Sequence, residues 1–206
     1  MSMTHKERVI RALNHEETDR PPFQATFTPE FADRLRREFH LPPMFSEPHH
    51  RDWYGYDLER LTGQDALQVG AGWVTNYYLK PEPYTDEWGV EWKIDPYQTP
   101  FGEGHYTNIA RNPLRDDDEA AMAYKAPDPT RPELYYNAER LVKEFGEEYY
   151  IIGRVHCTIF ESAWALRGLD TLMMDFYINP ELANHLLDET AAYHKEACCQ
   201  LVRRGV

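Results

Sequence analysis

Apolar positions along this chain recur with two different periods, and the alternation between them predicts its elements. Val9, Ile10 and Leu13 share one face of a first helix over Thr4–Leu13, whose start carries a capping box, Thr4 and Glu7. "FQATF" (Phe23–Phe27) is a short strand candidate, and Pro29 opens a helix through Phe39. "LPPMFSEPHHRDWYGYD" is a Pro- and aromatic-rich loop, and "DALQVGAG" (Asp65–Gly72) is a second buried strand. From Val74 the period drops to two. "TNYYLKPEPYTDEWGVEWKIDPYQT" alternates aromatic with polar residues around turn chemistry at Asp86–Gly89, which predicts an antiparallel hairpin over 74–99. A helix from about Pro132 to Phe145 stops at Gly146. "YYIIGRVHC" (Tyr149–Cys157) is the clearest strand. A helix over Phe160–Arg167 ends at Gly168, and Asp170 caps another. Asn179-Pro180-Glu181 then starts a long helix with an apolar stripe from Leu182 to Leu201, stopped at Gly205.

Three buried strands, each followed by a helix, imply a parallel sheet. Val206 stands where a further strand would begin. An eight-stranded barrel takes roughly 250 residues, so the alternation reads as the front part of a larger α/β architecture: one incomplete domain over 1–206 with an antiparallel insertion at 74–99.

Composition narrows the function classes. The chain has 206 residues, 42% of them apolar, with 14 Tyr and 5 Trp, which is enough to bury a core. Its formal net charge of −13 repels phosphate backbones and anionic lipid, so neither nucleic acid nor a membrane is an expected partner. The acidic run Asp116-Asp117-Asp118-Glu119 reads as a solvated loop or a helix start. Three cysteines, Cys157, Cys198 and Cys199, form no disulfide framework and point to a reducing cytoplasm. The charged opening is not a signal peptide, and no stretch reaches the roughly 20 apolar residues of a membrane span. Gly102 and Gly104 lack the strand–turn–helix context of a nucleotide fingerprint.

"MTHKERVIRALNHEETDRPPF", "TDEWGVEWK" and "FESAWALRGLDTLMMDFYINPELANHLLDE" together resemble the uroporphyrinogen decarboxylase superfamily. The resemblance implies a (β/α)8 barrel of about 340 residues or more, with this chain as its N-terminal part. It implies one of two activities. One is porphyrinogen decarboxylation. The other is methyl transfer between a corrinoid and a thiol or folate, in which zinc activates the thiol. The decarboxylase branch carries an Arg-Gln-Ala-Gly-Arg motif and a Gly-Pro-Trp-Thr type loop. Here those places hold "FQATFTPEF", with no Arg before Arg34, and "VHCTIFESAW". A polycarboxylate substrate is best held by Arg, so the methyltransferase branch resembles this chain better. Its zinc ligands, a His-x-Cys and a later Cys, lie in the C-terminal half of the barrel. The segment alone is therefore expected to bind no cofactor, while the complete protein is expected to use zinc and a corrinoid. Expected partners are a small-molecule substrate, a corrinoid protein and further copies of the chain. The alternatives are the decarboxylase of porphyrin biosynthesis and a non-catalytic fragment or binding module.

Strand alternation sorts the site candidates. Ile151, Gly153, Val155 and Cys157 form one row, and Ile152, Arg154 and His156 the other. The apolar row suits the helix layer. His156 therefore serves a site at the C-terminal end of the strand, and Cys157 packs. His156 and Glu161 are the catalytic candidates. Gln24, Thr26, Arg154 and Thr158 are the substrate-binding candidates. The expected pocket joins His156, Gln24 and the end of the "ALQVG" strand. His194 and Cys198 have a zinc-compatible spacing but continue a core stripe. His49-His50 sits in a long loop, and Trp88 and Trp92 share a face of the hairpin.

Overall fold

Along the chain lie α1 (His5–Leu13), α2 (Pro29–Glu38), α3 (Asp57–Leu61), β1 (Ala66–Gly70), β2 (Tyr84–Thr85), β3 (Glu91–Thr99), β4 (Gly102–Arg111), α4 (Asp118–Ala123), α5 (Tyr136–Phe145), β5 (Tyr150–Arg154), α6 (Phe160–Arg167), α7 (Leu169–Ile178) and α8 (Pro180–Arg203). The computed structural model describes residues 3–42, 56–71, 83–100, 102–155 and 158–206. It divides into two units: 1–72 with 135–154 and 201–206, and 73–134 with 155–200. The Asp65–Gly72 and His49-His50 expectations fall partly or wholly outside the described residues, as do His156 and Cys157.

The first unit is built on a parallel pair. β1 and β5 run in register from Ala66↔Tyr150 to Gly70↔Arg154. Leu67, Val69 and Ile151 are buried. Their row continues at Gly153, where an added Cβ would lie 2.5 Å from Val206 Cγ1 and 3.4 Å from Leu201 Cδ1. Glycine there lets the end of α8 lie close to the strand. The opposite row, Gln68, Ile152 and Arg154, is half-buried to exposed.

α1 begins as expected, with the Thr4 hydroxyl accepting the Glu7 N–H at 3.1 Å. α1 buries Arg8 and Val9, and α5 buries Ala138 and Leu141. α2 and α3 are joined by Arg36, which donates to both Asp57 oxygens at 2.7 and 2.6 Å and to Pro42 O at 2.6 Å.

The expected strand at Phe23–Phe27 does not form. Its backbone is satisfied by side chains instead: Phe23 N donates to Asp65 Oδ2 at 2.8 Å and Ala25 N to Gln64 Oε1 at 3.1 Å. Alternation of Phe with polar residues reported an extended segment and could not report what it would pair with. The strand expected over 149–157 is shorter, Tyr150–Arg154. The helix expected over 132–145 is a 3-10 turn, Pro132–Tyr135, followed by α5.

The second unit holds the antiparallel sheet, in the order β2-β3-β4. It extends to Arg111, beyond the expected limit at Thr99, because β4 returns along β3 from Thr99↔Gly102 to Trp92↔Ile109 with a bulge next to Glu91. The expected turn at Asp86–Gly89 is held by the Asp86 carboxylate. It accepts from Trp88 N and Val90 N, both at 2.9 Å, and from Trp92 Nε1 at 2.7 Å. Gly89 takes the left-handed φ of 86° that this turn needs. The acidic run resolves as a helix start, with Asp117 capping α4 through Ala120 N at 2.8 Å.

α6 and α7 join at Gly168 (φ 90°, ψ 135°). α7 therefore starts one residue before Asp170, which sits in its first turn and binds Arg115 at 2.8 and 2.5 Å. A side chain at 168 would be strained and would meet Arg115 Nη1 at 2.5 Å. Gly168→Ala is expected to cost about 1–3 kcal/mol of stability, read as a lower urea midpoint. No described helix is long and apolar enough to cross a membrane.

Candidate functional site

The C-terminal ends of parallel strands collect side chains that need not pack, and in the first unit this end is marked by Arg154, opposite Gly70. Arg154 closes the half-buried row and is exposed. Beside it stands a residue that the sequence reading passed over, Tyr56. Its ring is buried, and its hydroxyl donates to Gln68 O in β1 at 2.6 Å. Burial pushes the phenol above its ordinary range. The Glu59 carboxylate adds to this, and the Arg154 guanidinium opposes it. The hydroxyl is therefore a fixed neutral donor. Tyr56 also holds a left-handed φ of 52° at the start of α3, which is uncommon for an aromatic residue. The only hint in the sequence was the density of aromatics in "RDWYGYD".

Gln24 and Thr26 are exposed. Their neighbours Phe23 and Ala25 are anchored to Asp65 and Gln64, at the start of β1. Arg154 pairs at the other end, about 13 Å away at 3.3 Å per residue. Gln24 and Arg154 are thus held at opposite ends of the strand. The expected pocket also requires His156, which lies outside the described residues.

The start of β1 carries a saturated ion cluster. Asp65 is fully buried and binds His5 Nδ1 at 2.8 Å, Arg8 Nη1 at 2.6 Å and Arg20 at 2.6 and 2.9 Å, along with Phe23 N. Burial alone would raise its carboxyl. The bonds from Arg20, Phe23 N–H, His5 and Arg8 outweigh it and hold the group below the usual carboxylate range. Asp19 is held down by Arg8, which binds it at 2.6 and 2.9 Å. These cations neutralise the chain's own carboxylates.

In the second unit Thr158 and Glu161 are brought together by a turn, Glu161 N donating to Thr158 O at 3.0 Å, and both are exposed. Between them Ile159 has φ 36° and ψ −87°, a strained conformation for a β-branched residue. Its carbonyl accepts from Thr190 Oγ1 at 3.1 Å. His194 is buried and pairs with Ser162 Oγ at 2.9 Å, while Cys198 is exposed, so the helical i,i+4 pair is split between core and solvent. Trp88 is buried and stacks on the His194 ring at 5.9 Å.

Arg167, the last residue of α6 before Gly168, is buried and spends all five of its donors. Nε goes to Asp175 at 2.7 Å, Nη1 to Leu114 O at 2.6 Å and Arg115 O at 3.2 Å, and Nη2 to Asp118 at 2.5 Å and Asp175 at 3.4 Å. It is an internal tie rather than a ligand-facing group. Among the described residues, no three His, Cys, Asp or Glu side chains are grouped to hold a metal ion.

No protein-family model matches this sequence, and no curated protein matches it. Among solved structures, a methyltransferase from Methanosarcina mazei is similar over 100% of this chain, with a TM-score of 0.61 and 16% sequence identity. This chain spans 57% of that protein's length. At this identity the likeness is one of fold: the chain has a mixed α/β fold, with one parallel and one antiparallel sheet among the described residues, similar to that of a methyltransferase.

Proposed function

We propose that the complete protein is a corrinoid-dependent methyltransferase of the uroporphyrinogen decarboxylase type, moving a methyl group to or from a thiol or folate. In this reading the chain is the N-terminal part of its (β/α)8 barrel. The observation that carries the proposal is the fold likeness to the Methanosarcina mazei methyltransferase, which spans this whole chain and leaves part of that protein without a counterpart. The parallel β1–β5 pair, with an apolar row toward helices and a more polar row opposite, supports a barrel segment. His156 and Glu161 are the proposed catalytic groups and Thr158 a proposed substrate contact, and Arg154 is proposed to hold an anionic group of the substrate. Tyr56 would position the end of β1 that pairs with Arg154. The described residues offer no zinc ligand set. Its ligands are proposed for the C-terminal barrel half, with the site in the cytoplasm.

Against the decarboxylase stands the employment of the N-terminal arginines. Arg8 and Arg20 are committed to Asp65 and Asp19, and Arg36 to Asp57. The test uses the full-length gene product. It measures methyl transfer from methylcobalamin to thiol and folate acceptors, uroporphyrinogen turnover, and bound metal. Methyl transfer with zinc present is the expected result. Robust decarboxylation without metal would overturn the reading.

Arg154→Gln adds a residue-level prediction. Losing one charge-assisted bond of about 1.5–3 kcal/mol should lower kcat/KM by roughly 10- to 100-fold. The thermal midpoint should not move, because the side chain is exposed. An unchanged kcat/KM would remove Arg154 from the site.

A further inference from the structure

Backbone strain gathers at the start of α6. Among the described residues four non-glycines take a positive φ, and Ile159 is the β-branched one of them. Its φ of 36° and ψ of −87° lie where a branched Cβ is opposed by the neighbouring backbone. Such a conformation persists only where its surroundings hold it. Burial of the Ile159 side chain does not hold it, because that side chain is 43% exposed.

The holding groups lie on α8. Thr190 is fully buried, and its hydroxyl donates to Ile159 O at 3.1 Å. The same hydroxyl has Leu186 O and Leu187 O of its own helix at 3.0 Å, so it is satisfied without Ile159. The bond across to α6 therefore serves the turn rather than the threonine. One helical turn further along α8, on the same face, His194 pairs with Ser162 Oγ at 2.9 Å. Both of these residues are buried, and the Trp88 ring stacks behind His194. α8 thus grips the first turn of α6 at two points, Ile159 and Ser162, one on each side of Glu161. Within the turn Glu161 N donates to Thr158 O at 3.0 Å and Ala163 N to Ile159 O at 2.9 Å. The side chains left exposed on it include Thr158 and Glu161.

We infer that Thr190 is a positioning residue: with the Ser162–His194 pair it clamps the Thr158–Glu161 turn in its strained form, and so fixes the direction of the Glu161 carboxylate and the Thr158 hydroxyl. The benefit to catalysis rests on the proposed function, in which those two groups meet substrate. A relaxed turn would displace both, and a displacement of about 1 Å at a reacting group can lower a rate by about 100-fold.

Three variants test it. Thr190→Val removes the hydroxyl at nearly constant volume, Thr190→Ser keeps it, and Ile159→Gly removes the strain that the clamp opposes. Amide hydrogen exchange on this chain reads the clamp directly. Thr190→Val should speed exchange of the Glu161 and Ala163 N–H groups by about 5- to 10-fold, the worth of one hydrogen bond. The Asn179 N–H, which closes α7 on Asp175 O, should keep its rate. Thr190→Ser should match the parent. Methyl transfer by the complete protein reads the positioning. Thr190→Val and Ile159→Gly should each lower kcat by about 10- to 100-fold, and Ile159→Gly should do so without lowering the thermal midpoint, a split that a merely structural role would not give. Unchanged exchange in Thr190→Val sinks the clamp, as does a Thr190→Ser that behaves like Thr190→Val. An unchanged kcat in both variants of a protein that transfers methyl groups overturns the positioning role. A parent without methyl transfer counts against the proposed function instead, and the exchange rates then decide the clamp by themselves.

Discussion

Asp65→Ala is expected to lower the unfolding free energy by about 3–5 kcal/mol, the cost of removing one partner from a buried ion cluster. The reason is geometric. Asp65 lies fully buried at the start of β1 and is the common acceptor for α1, through His5 and Arg8, and for the segment after it, through Arg20 and Phe23 N. Without the carboxylate, the buried Arg8 keeps only Asp19 and the Met3 carbonyl. The Phe23–Phe27 segment loses the anchor that replaces a strand ladder. Arg20→Ala is the contrasting substitution. Its own side chain is 42% exposed, and the Asp65 carboxylate it leaves still binds Arg8, His5 and Phe23 N, so a smaller loss of about 1.5–3 kcal/mol is expected. Urea denaturation of the three proteins measures both. Equal effects from Asp65 and Arg20 would show that Asp65 acts through Arg20 alone and not as the shared acceptor for α1 and Phe23.

The same cluster sets an acid limit. The folded Asp65 and Asp19 carboxyls both lie below their ordinary values. A group whose folded pKa is depressed stabilises the fold above its unfolded pKa, about 3.9 for Asp. That contribution is lost as pH falls through the folded value, because the unfolded chain binds protons first. Stability should be nearly flat from about pH 7 to 5 in this respect and should fall below about pH 4. Asp65→Ala should flatten the acid slope.

The second large effect is expected at Arg167 and Asp175, each 3% exposed. Asp175→Ala should cost about 3–5 kcal/mol, because a buried guanidinium is left with Asp118, itself 67% exposed, as its remaining acid. Arg167→Met should cost a similar amount, since it leaves Asp175, Leu114 O and Arg115 O without their donor. The double variant Arg167→Met/Asp175→Leu should be less destabilised than the sum of the singles by at least about 1 kcal/mol, the mark of a coupled pair. Thermal and urea unfolding give all four corners of the cycle. Strict additivity would mean that the two side chains do not act on each other in solution.

Much of the local structure was legible in the chain. Thr4 and Glu7, Pro29, the Asp86–Gly89 turn, Gly168 and the apolar stripe of α8 act through neighbours a few residues away, and short-range spacing records such contacts directly. The alternation of strand and helix likewise pointed to a parallel pair, which β1 and β5 form.

What the sequence could not supply was the identity of partners far along the chain. "FQATF" has a strand's alternation, yet Asp65 and Gln64, some forty positions later, bind it as an irregular segment. The end of α6 at Arg167-Gly168 carries no sign in the sequence of whether Arg167 faces a ligand or the interior. Only folding brings Leu114, Asp118 and Asp175 around it and spends every donor. Tyr56 looked like one aromatic among many until the fold set its hydroxyl on Gln68 O beside Arg154. Periodicity reports which face of an element avoids water. It carries no address for the group on the other side, and buried hydrogen bonds and ion pairs are decided by that address.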